Sequence, residues 1–289
     1  MEFLQPESWQ EALEMKVAHP EAVPIHGGTD VMVELNFDRE RPEHILDLTR
    51  VPELREWGWE NGRLRVGAGV TYTRAIEGLS APLPGLAIAS RTVGSPQIRN
   101  RGTIGGNIAS SSPAGDALPP LYASDAEVEL ASTEGTRIVP IEEFVTGPKK
   151  NVLESNELIS AFCVPEAEGP QQYSKIGTRN AMVIALCSFG LALHPEQRKV
   201  GSCIGSAGPT PLRAQEAESF IEGVLEEGDL WSKRGSVDET ALVRFGELVS
   251  EATRPIDDVR GTAAYRRHAV GVLARRTFAW AWEEYGNGG

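Results

Sequence analysis

Two short segments carry the residue types most able to do chemistry. His26-Gly27-Gly28-Thr29-Asp30 follows the apolar run Val23-Pro24-Ile25 and precedes Val31, Met32, Val33 and Leu35, the layout of a strand, a glycine turn and a helix start. Thr103-Ile104-Gly105-Gly106-Asn107, followed by Pro113 and Asp116, repeats the combination of a diglycine with a hydroxyl. Glycine tolerates positive φ and has no Cβ to hold a ligand away, so successive backbone N–H groups can converge into a concave anion site. A Gly-Gly pair is also a common tight turn, because turn geometry alone selects glycine. Two such pairs, each beside a strand-like run, suggest two halves of one phosphate site, with plain turn formation as the alternative.

The elements that must position these segments can be read along the chain. Ser8-Trp9-Gln10-Glu11 forms a capping box for a helix with Trp9, Leu13 and Val17 on one face, stopped by Pro20. The strand Val23 to Ile25, the diglycine turn, a short helix to about Leu35 and the strand Ile45 to Leu48 then make a small α/β unit, with its glycine turn at a strand end. Asn61-Gly62 between Trp57–Glu60 and Leu64–Val66 predicts a type I′ hairpin and opens a mostly antiparallel region. Helical patterns cover Thr73 to Leu79, Leu86 to Val93 and Ala117 to Ala123, and further strands cover 128–130, 137–139 and 158–164.

The polar stretch Glu166-Ala167-Glu168-Gly169-Pro170 is the best domain boundary. Beyond it, three strands (172–177, 183–193 and 199–205) give way to helices (212–222, 237–252 and 263–285), an order that predicts an α+β domain. The expected organisation is therefore a domain over residues 1–168, in subdomains of about 1–55 and 56–168, and a second over 169–289.

Bulk properties narrow the partners. A chain of 289 residues with 40% hydrophobic composition can bury a core without disulfides or metal. A net charge of −13 argues against a nucleic-acid or anionic-membrane surface, which leaves small molecules and proteins. No basic-then-apolar leader and no membrane-length apolar run is present, so a cytoplasmic location without membrane insertion is expected. Cys163, Cys187 and Cys203 are widely and unequally spaced among apolar neighbours and read as buried free thiols. With no Cys-x-x-Cys pair and no ligand spacing among the five histidines, metal chemistry belongs to a partner.

Several familiar motifs fail. Gly67-Ala68-Gly69 lacks the third glycine of a dinucleotide fingerprint, since Tyr72 stands there. There is no P-loop Gly-Lys-Ser/Thr, and Gly205-Ser206-Ala207-Gly208 has no local base to activate its serine. Lys175 and Arg179 share one face if their segment is extended, where they can meet a phosphate or partner carboxylates, or simply line a solvated edge.

Taken together, Gly27-Gly28-Thr29-Asp30, Ser95-Pro96-Gln97-Ile98-Arg99-Asn100-Arg101-Gly102-Thr103-Ile104-Gly105-Gly106-Asn107, Ser112-Pro113 with Asp116, Tyr173-Ser174-Lys175 with Arg179-Asn180-Ala181-Met182, and Arg254-Pro255-Ile256-Asp257-Asp258 with Ala264-Tyr265-Arg266 resemble the FAD-binding subunit of the molybdenum hydroxylases, the xanthine dehydrogenase and carbon monoxide dehydrogenase family. The resemblance spans essentially the whole chain. It implies a vanillyl-alcohol-oxidase-type FAD domain of two subdomains, with FAD extended between them, followed by a C-terminal α+β domain of a small antiparallel sheet plus helices. It assigns cofactor contacts to Pro24, Ile25, His26, Gly27, Gly28, Thr29, Asp30 and Val31, and to Thr103, Ile104, Gly105, Gly106 and Asn107. The pyrophosphate would be held by backbone N–H groups and the hydroxyls of Thr29 and Thr103. Ser110 would lie along the flavin, Asp116 would accept from a ribityl or ribose hydroxyl, Ile159 would be an apolar contact, and Lys175 a cofactor-binding lysine. His26 departs from the alanine of many relatives, and the three cysteines cannot build the extra iron–sulfur loop some relatives carry.

The implied function is electron transfer with no catalytic acid or base on this chain. Substrate would be hydroxylated at a molybdenum cofactor on a large subunit, and electrons would pass through a [2Fe–2S] small subunit to FAD here and on to NAD⁺, a quinone or oxygen. The alternatives are a self-sufficient FAD oxidase or dehydrogenase with its own substrate pocket, and a noncatalytic nucleotide-binding module.

Overall fold

A computed structural model describes residues 1–39 and 41–288. In the N-terminal lobe, β1 (Glu2–Leu4), β2 (Val23–Ile25) and β3 (His44–Asp47) form a parallel sheet with β3 in the middle. Ile45 and Leu46 of that central strand are fully buried, as a strand covered on both faces requires. Pro24 is tolerated because β2 is an edge, where a missing N–H interrupts no ladder.

Helix α1 (Trp9–Ala18) starts where Ser8 Oγ accepts the Glu11 N–H at 3.2 Å, while the Glu11 carboxylate reaches back to the Glu7 N–H at 2.7 Å. Its buried face is Ala12, Leu13 and Lys16, whereas Val17 is exposed, contrary to the sequence expectation. The Lys16 ammonium is drawn inward by the carbonyls of Pro20 and Ala22, each at 2.8 Å, and so closes the turn that leads into β2. Helix α2 (Val31–Asn36) follows directly from the glycine turn.

The second lobe is a five-stranded antiparallel sheet. The hairpin of β4 (Trp57–Glu60) and β5 (Arg63–Gly67) turns at Asn61 and Gly62, whose φ values of 50° and 76° are those its sequence predicts. Helices α3 (Tyr72–Gly78), α4 (Pro84–Arg91), α5 (Pro96–Arg101), α6 (Ile104–Ser110) and α7 (Leu118–Ala123) intervene before β6 (Glu127–Ser132) and β7 (Gly135–Pro140). A short helix α8 (Ile141–Phe144) and a hairpin of β8 (Val145–Gly147) and β9 (Lys150–Asn151) lead to β10 (Leu158–Pro165), giving the order β4-β5-β10-β6-β7.

The C-terminal part is a three-stranded antiparallel sheet of β11 (Gln171–Ile176), β12 (Cys187–His194) and β13 (Lys199–Gly205). Helices α9 (Gln215–Glu227), α10 (Leu230–Lys233), α11 (Glu239–Glu251) and α12 (Ala263–Gly286) pack beside it. Ala217, Ile221 and Leu225 on α9, and Leu242, Phe245 and Val249 on α11, recur at helical spacing and meet Phe189 and Phe278 in one hydrophobic cluster. The strand expected from Val183 starts only at Cys187, and Leu212 forms an isolated bridge to Ile204 instead of opening a helix.

A buried ion pair ties the C-terminal sheet to the second lobe. Asp116, just before α7, accepts from Lys175 Nζ at 2.6 Å and from the Tyr173 hydroxyl at 2.7 Å, and Lys175 also donates to the Thr92 carbonyl at 3.1 Å. Burial raises the Asp116 carboxyl above its ordinary value, with the Lys175 ammonium opposing that rise. Removing one partner strands the other in a dry site. Lys175→Met is therefore expected to lower stability by about 3–5 kcal/mol in denaturant titrations. The double change Lys175→Met with Asp116→Leu should cost less than the two single changes summed; strict additivity would contradict the pairing.

Candidate functional site

The segment after β2 has an unusual backbone state. From His26 through Val31, six N–H groups in succession find no acceptor among the described residues. Gly28 sits at φ +73°, the left-handed value that turns the chain and lets neighbouring amides point the same way. Asp30 stands at the N-cap of α2 but does not cap it; its carboxylate accepts from Ser110 Oγ at 3.0 Å instead. The helix start is thus left open to an external anion.

The second diglycine behaves differently. Thr103 to Asn107 is the first turn of a helix, not a loop: Thr103 caps α6 by accepting the Gly106 N–H at 2.9 Å. Ile104 donates to the Val70 carbonyl, Gly105 to Ala68 and Asn107 to Thr103, so the N–H groups of residues 104–107 are already used. The expectation that both segments offer backbone donors is corrected accordingly. What remains available from the second segment is the Thr103 hydroxyl proton, since that oxygen accepts from Gly106 and can still donate, and the Asn107 side-chain amide, whose Oδ1 accepts from the Ala117 N–H while its Nδ2 has no partner among the described residues. The Thr29 hydroxyl makes no hydrogen bond among the described residues and is likewise free to donate.

The glycines also divide by purpose. A Cβ on Gly27 would stand 2.2 Å from the Arg101 carbonyl oxygen, and one on Gly105 2.5 Å from that of Ala68, so both are required for one backbone to lie on another. A Cβ on Gly106 would meet only Thr103 Oγ1, at 2.9 Å, and otherwise faces open space. Of the four, Gly106 is the one whose missing side chain leaves room for a ligand.

Both segments line one cleft of about 530 Å³. Of the residues assigned from sequence, Pro24 through Val31, Thr103, Gly105, Gly106, Asn107, Ser110 and Ile159 lie on its wall. Ile159 precedes a register shift between β10 and β6, a bulge of the kind that re-aims strand side chains. Ile104 is fully buried in the core instead. Asp116 and Lys175 sit together outside the wall, their charged ends committed to each other, and Arg179 lies beyond the end of β11, donating to the Met182 carbonyl. Leu54, Tyr72, Val93, Leu153, Glu157 and Leu158 also line the cleft and were not singled out from sequence. They come from separate segments, and only tertiary structure brings them together.

His26 is half-buried, and its Nε2 packs against Gly69 without a hydrogen-bond partner among the described residues. Burial, helped by the positive charges of Arg55 and Arg101 and opposed by Asp47, pulls its pKa down to about 4. The ring is neutral at pH 7. Burial also pushes the thiol of Cys163 up to about 11 and that of Cys187 to about 12, in keeping with inert free cysteines.

Two outcomes follow from this geometry. Gly27→Ala should destabilise the chain with or without ligand, by about 1–3 kcal/mol of overpacking, whereas Gly106→Val should mainly weaken cofactor affinity; thermal melts and ligand titrations on both variants separate the effects, and an unchanged affinity in Gly106→Val would remove that position from the site. For His26, the unfolded chain takes up a proton near 6.5 and the folded chain only near 4, so stability is full above 6.5 and falls as pH drops toward 4. His26→Ala should flatten that slope in pH-dependent unfolding, and an unaltered slope would show that the ring does not titrate as described.

Two family models match in tandem: "FAD binding domain in molybdopterin dehydrogenase" over residues 1–167 and "CO dehydrogenase flavoprotein C-terminal domain" over residues 172–281. The xanthine dehydrogenase FAD-binding subunit of Escherichia coli O157:H7 is 31% identical over 286 residues, covering 94% of this chain and 92% of that protein. The nicotinate dehydrogenase FAD-subunit of Eubacterium barkeri is 32% identical over 239 residues, covering 77% of this chain and 79% of that one. A solved chain of carbon monoxide dehydrogenase from Hydrogenophaga pseudoflava superposes with a TM-score of 0.87 at 28% identity, over 98% of each chain. With an open anion site beside an apolar cleft and both family models matched in order, the chain belongs to the FAD-binding medium subunits of the xanthine dehydrogenase and carbon monoxide dehydrogenase family, and its cofactor is FAD.

Proposed function

We propose that this chain is the electron-transfer subunit of a multi-subunit molybdenum hydroxylase, working with a molybdenum-cofactor large subunit and a [2Fe–2S] small subunit in the cytoplasm. The relatives' descriptions as FAD-binding subunits, FAD-subunits and medium chains support the hetero-oligomeric reading. When bound, FAD supplies the redox chemistry, taking electrons from the iron–sulfur partner and passing them to NAD⁺, a quinone or oxygen. The chain's own residues bind and orient that cofactor. The observation that carries the reading is the unbroken row of N–H groups from His26 to Val31 that have no acceptor among the described residues, beside a cleft with an apolar wall.

In this reading the row holds the pyrophosphate, joined by the hydroxyls of Thr29 and Thr103, while the bare Cα of Gly106 lets it approach. Leu153, Leu158 and Ile159 line the cleft and offer the apolar surface that a flat ring system needs, with Leu158 and Ile159 largely buried behind it. Asp116 and Lys175 act from outside the wall, fixing the loop that runs from α6 to α7 against the C-terminal sheet. The proposed domains are 1–168, in lobes of about 1–55 and 56–168, and 169–289; the two matched family models and the hydrophobic cluster confined to residues 187–282 support the boundary near 168.

The purified chain should bind FAD noncovalently and show a reducible flavin band, yet stay oxidised when purines or aldehydes are added anaerobically. Adding the molybdenum and iron–sulfur subunits together with substrate should bleach the band. Bleaching by substrate on the chain alone would replace this reading with a self-sufficient flavoenzyme, and a colourless chain that cannot be reconstituted with FAD would overturn it.

A further inference from the structure

At the opposite end of the N-terminal sheet from the cleft, three potential ligands from separate elements converge. His19 is the C-cap of α1, Glu21 lies in the turn before β2, and His44 opens β3. One donor atom from each lies within 4.8 Å of the other two. His44 Nδ1 is 2.7 Å and His19 Nδ1 3.7 Å from the same Glu21 oxygen, and the two imidazole rings stand 4.3 Å apart between centroids. Donors bound to one tetrahedral zinc at about 2.1 Å are about 3.4 Å apart, which lies between these separations. His19 and Glu21 are exposed enough to close the difference by side-chain rotation.

The far side of the His44 ring is also provided for. Glu2 pairs with His44 in the β1–β3 register, and its carboxylate lies 3.7 Å from Nε2. That separation is an ion-pair distance, and a short rotation of the exposed Glu2 side chain brings it into hydrogen-bond reach, where a carboxylate fixes the tautomer and orientation of a metal-binding histidine. Glu2 and Glu21 together supply two negative charges against a dication. Lys16, whose charge acts on Glu21, spends its ammonium on the carbonyls of Pro20 and Ala22.

We propose that His19, Glu21 and His44, with Glu2 orienting His44, form a binding site for a divalent transition metal of zinc type. Two imidazoles among three ligands select such an ion over magnesium or calcium, which take oxygen ligands. Bound there, the ion staples the α1–β2 turn to β3. It stabilises the lobe that carries the cofactor segment but does not touch that segment, which lies past the other end of β2.

The test uses the tag-free full chain, stripped of metal with a chelator and titrated with zinc by calorimetry, with cobalt as a visible probe. One ion per chain, a raised melting temperature and ligand-field bands of cobalt in a low-symmetry site are expected. His19→Ala, His44→Ala and Glu21→Gln should each weaken zinc binding about tenfold or more. FAD absorbance should persist in all three, so failure here is distinguishable from failure of the flavin reading. If His44→Ala does not fold, the exposed Glu21→Gln and His19→Ala carry the comparison. Absence of zinc binding at micromolar concentrations, or binding undiminished in His19→Ala and Glu21→Gln, would overturn the proposal.

Discussion

Backbone amides with no protein acceptor must be met by water or by a ligand, and this chain lines up six of them between His26 and Val31, none with an acceptor among the described residues and none in a fully buried residue. Local folding does not explain the arrangement, since Asp30 sits where a helix cap belongs and gives its carboxylate to Ser110 instead. Nearly every feature around the cleft serves to hold that row in place. The edge strand β2 delivers it, Gly28 turns it, and Gly27 lets it lie directly on the backbone of residues 101–102. A diphosphate is the ligand chemistry that such a row fits, and FAD brings one.

The second glycine segment completes the site by a different physical route. Its amides are spent on Val70, Ala68 and Thr103, which pins α6 to the end of β5 within the second lobe and so fixes where Thr103 and Gly106 face the cleft. The Thr103 hydroxyl, the Asn107 side-chain amide and the open face of Gly106 are left for the cofactor. One segment therefore donates while the other spaces. His26, lodged against Gly69, is kept neutral at pH 7 chiefly by burial, so it lines the cleft without adding charge to it.

Much of this was legible in the sequence, because the informative residues act through local geometry. Asn61-Gly62 dictates its own turn, Ser8 and Glu11 mark the start of α1, and the diglycine at 27–28 follows a strand as a ligand loop should. Less legible were positions decided by tertiary contact. Lys175 and Arg179 look equivalent in sequence, yet one is buried against Asp116 and the other lies beyond the strand end. Val17 fits a helical stripe but loses its place to Lys16, whose ammonium finds two carbonyls that no local pattern reveals. Thr103 to Asn107 contains glycines that argue against a helix, and only the hydroxyl cap and the contact with Ala68 and Val70 settle it as one. The apolar wall is assembled from separate segments, so no single stretch could have announced it.

The central claim is that the first segment donates its backbone to the cofactor while the second is already satisfied. Residue-resolved amide hydrogen exchange, with and without FAD, addresses it directly. Fast exchange is expected from His26 to Val31 in the free chain, with strong slowing there on adding FAD and protection at residues 104–107 in both states. Unchanged exchange between His26 and Val31, with new protection confined to residues 104–107, would contradict it.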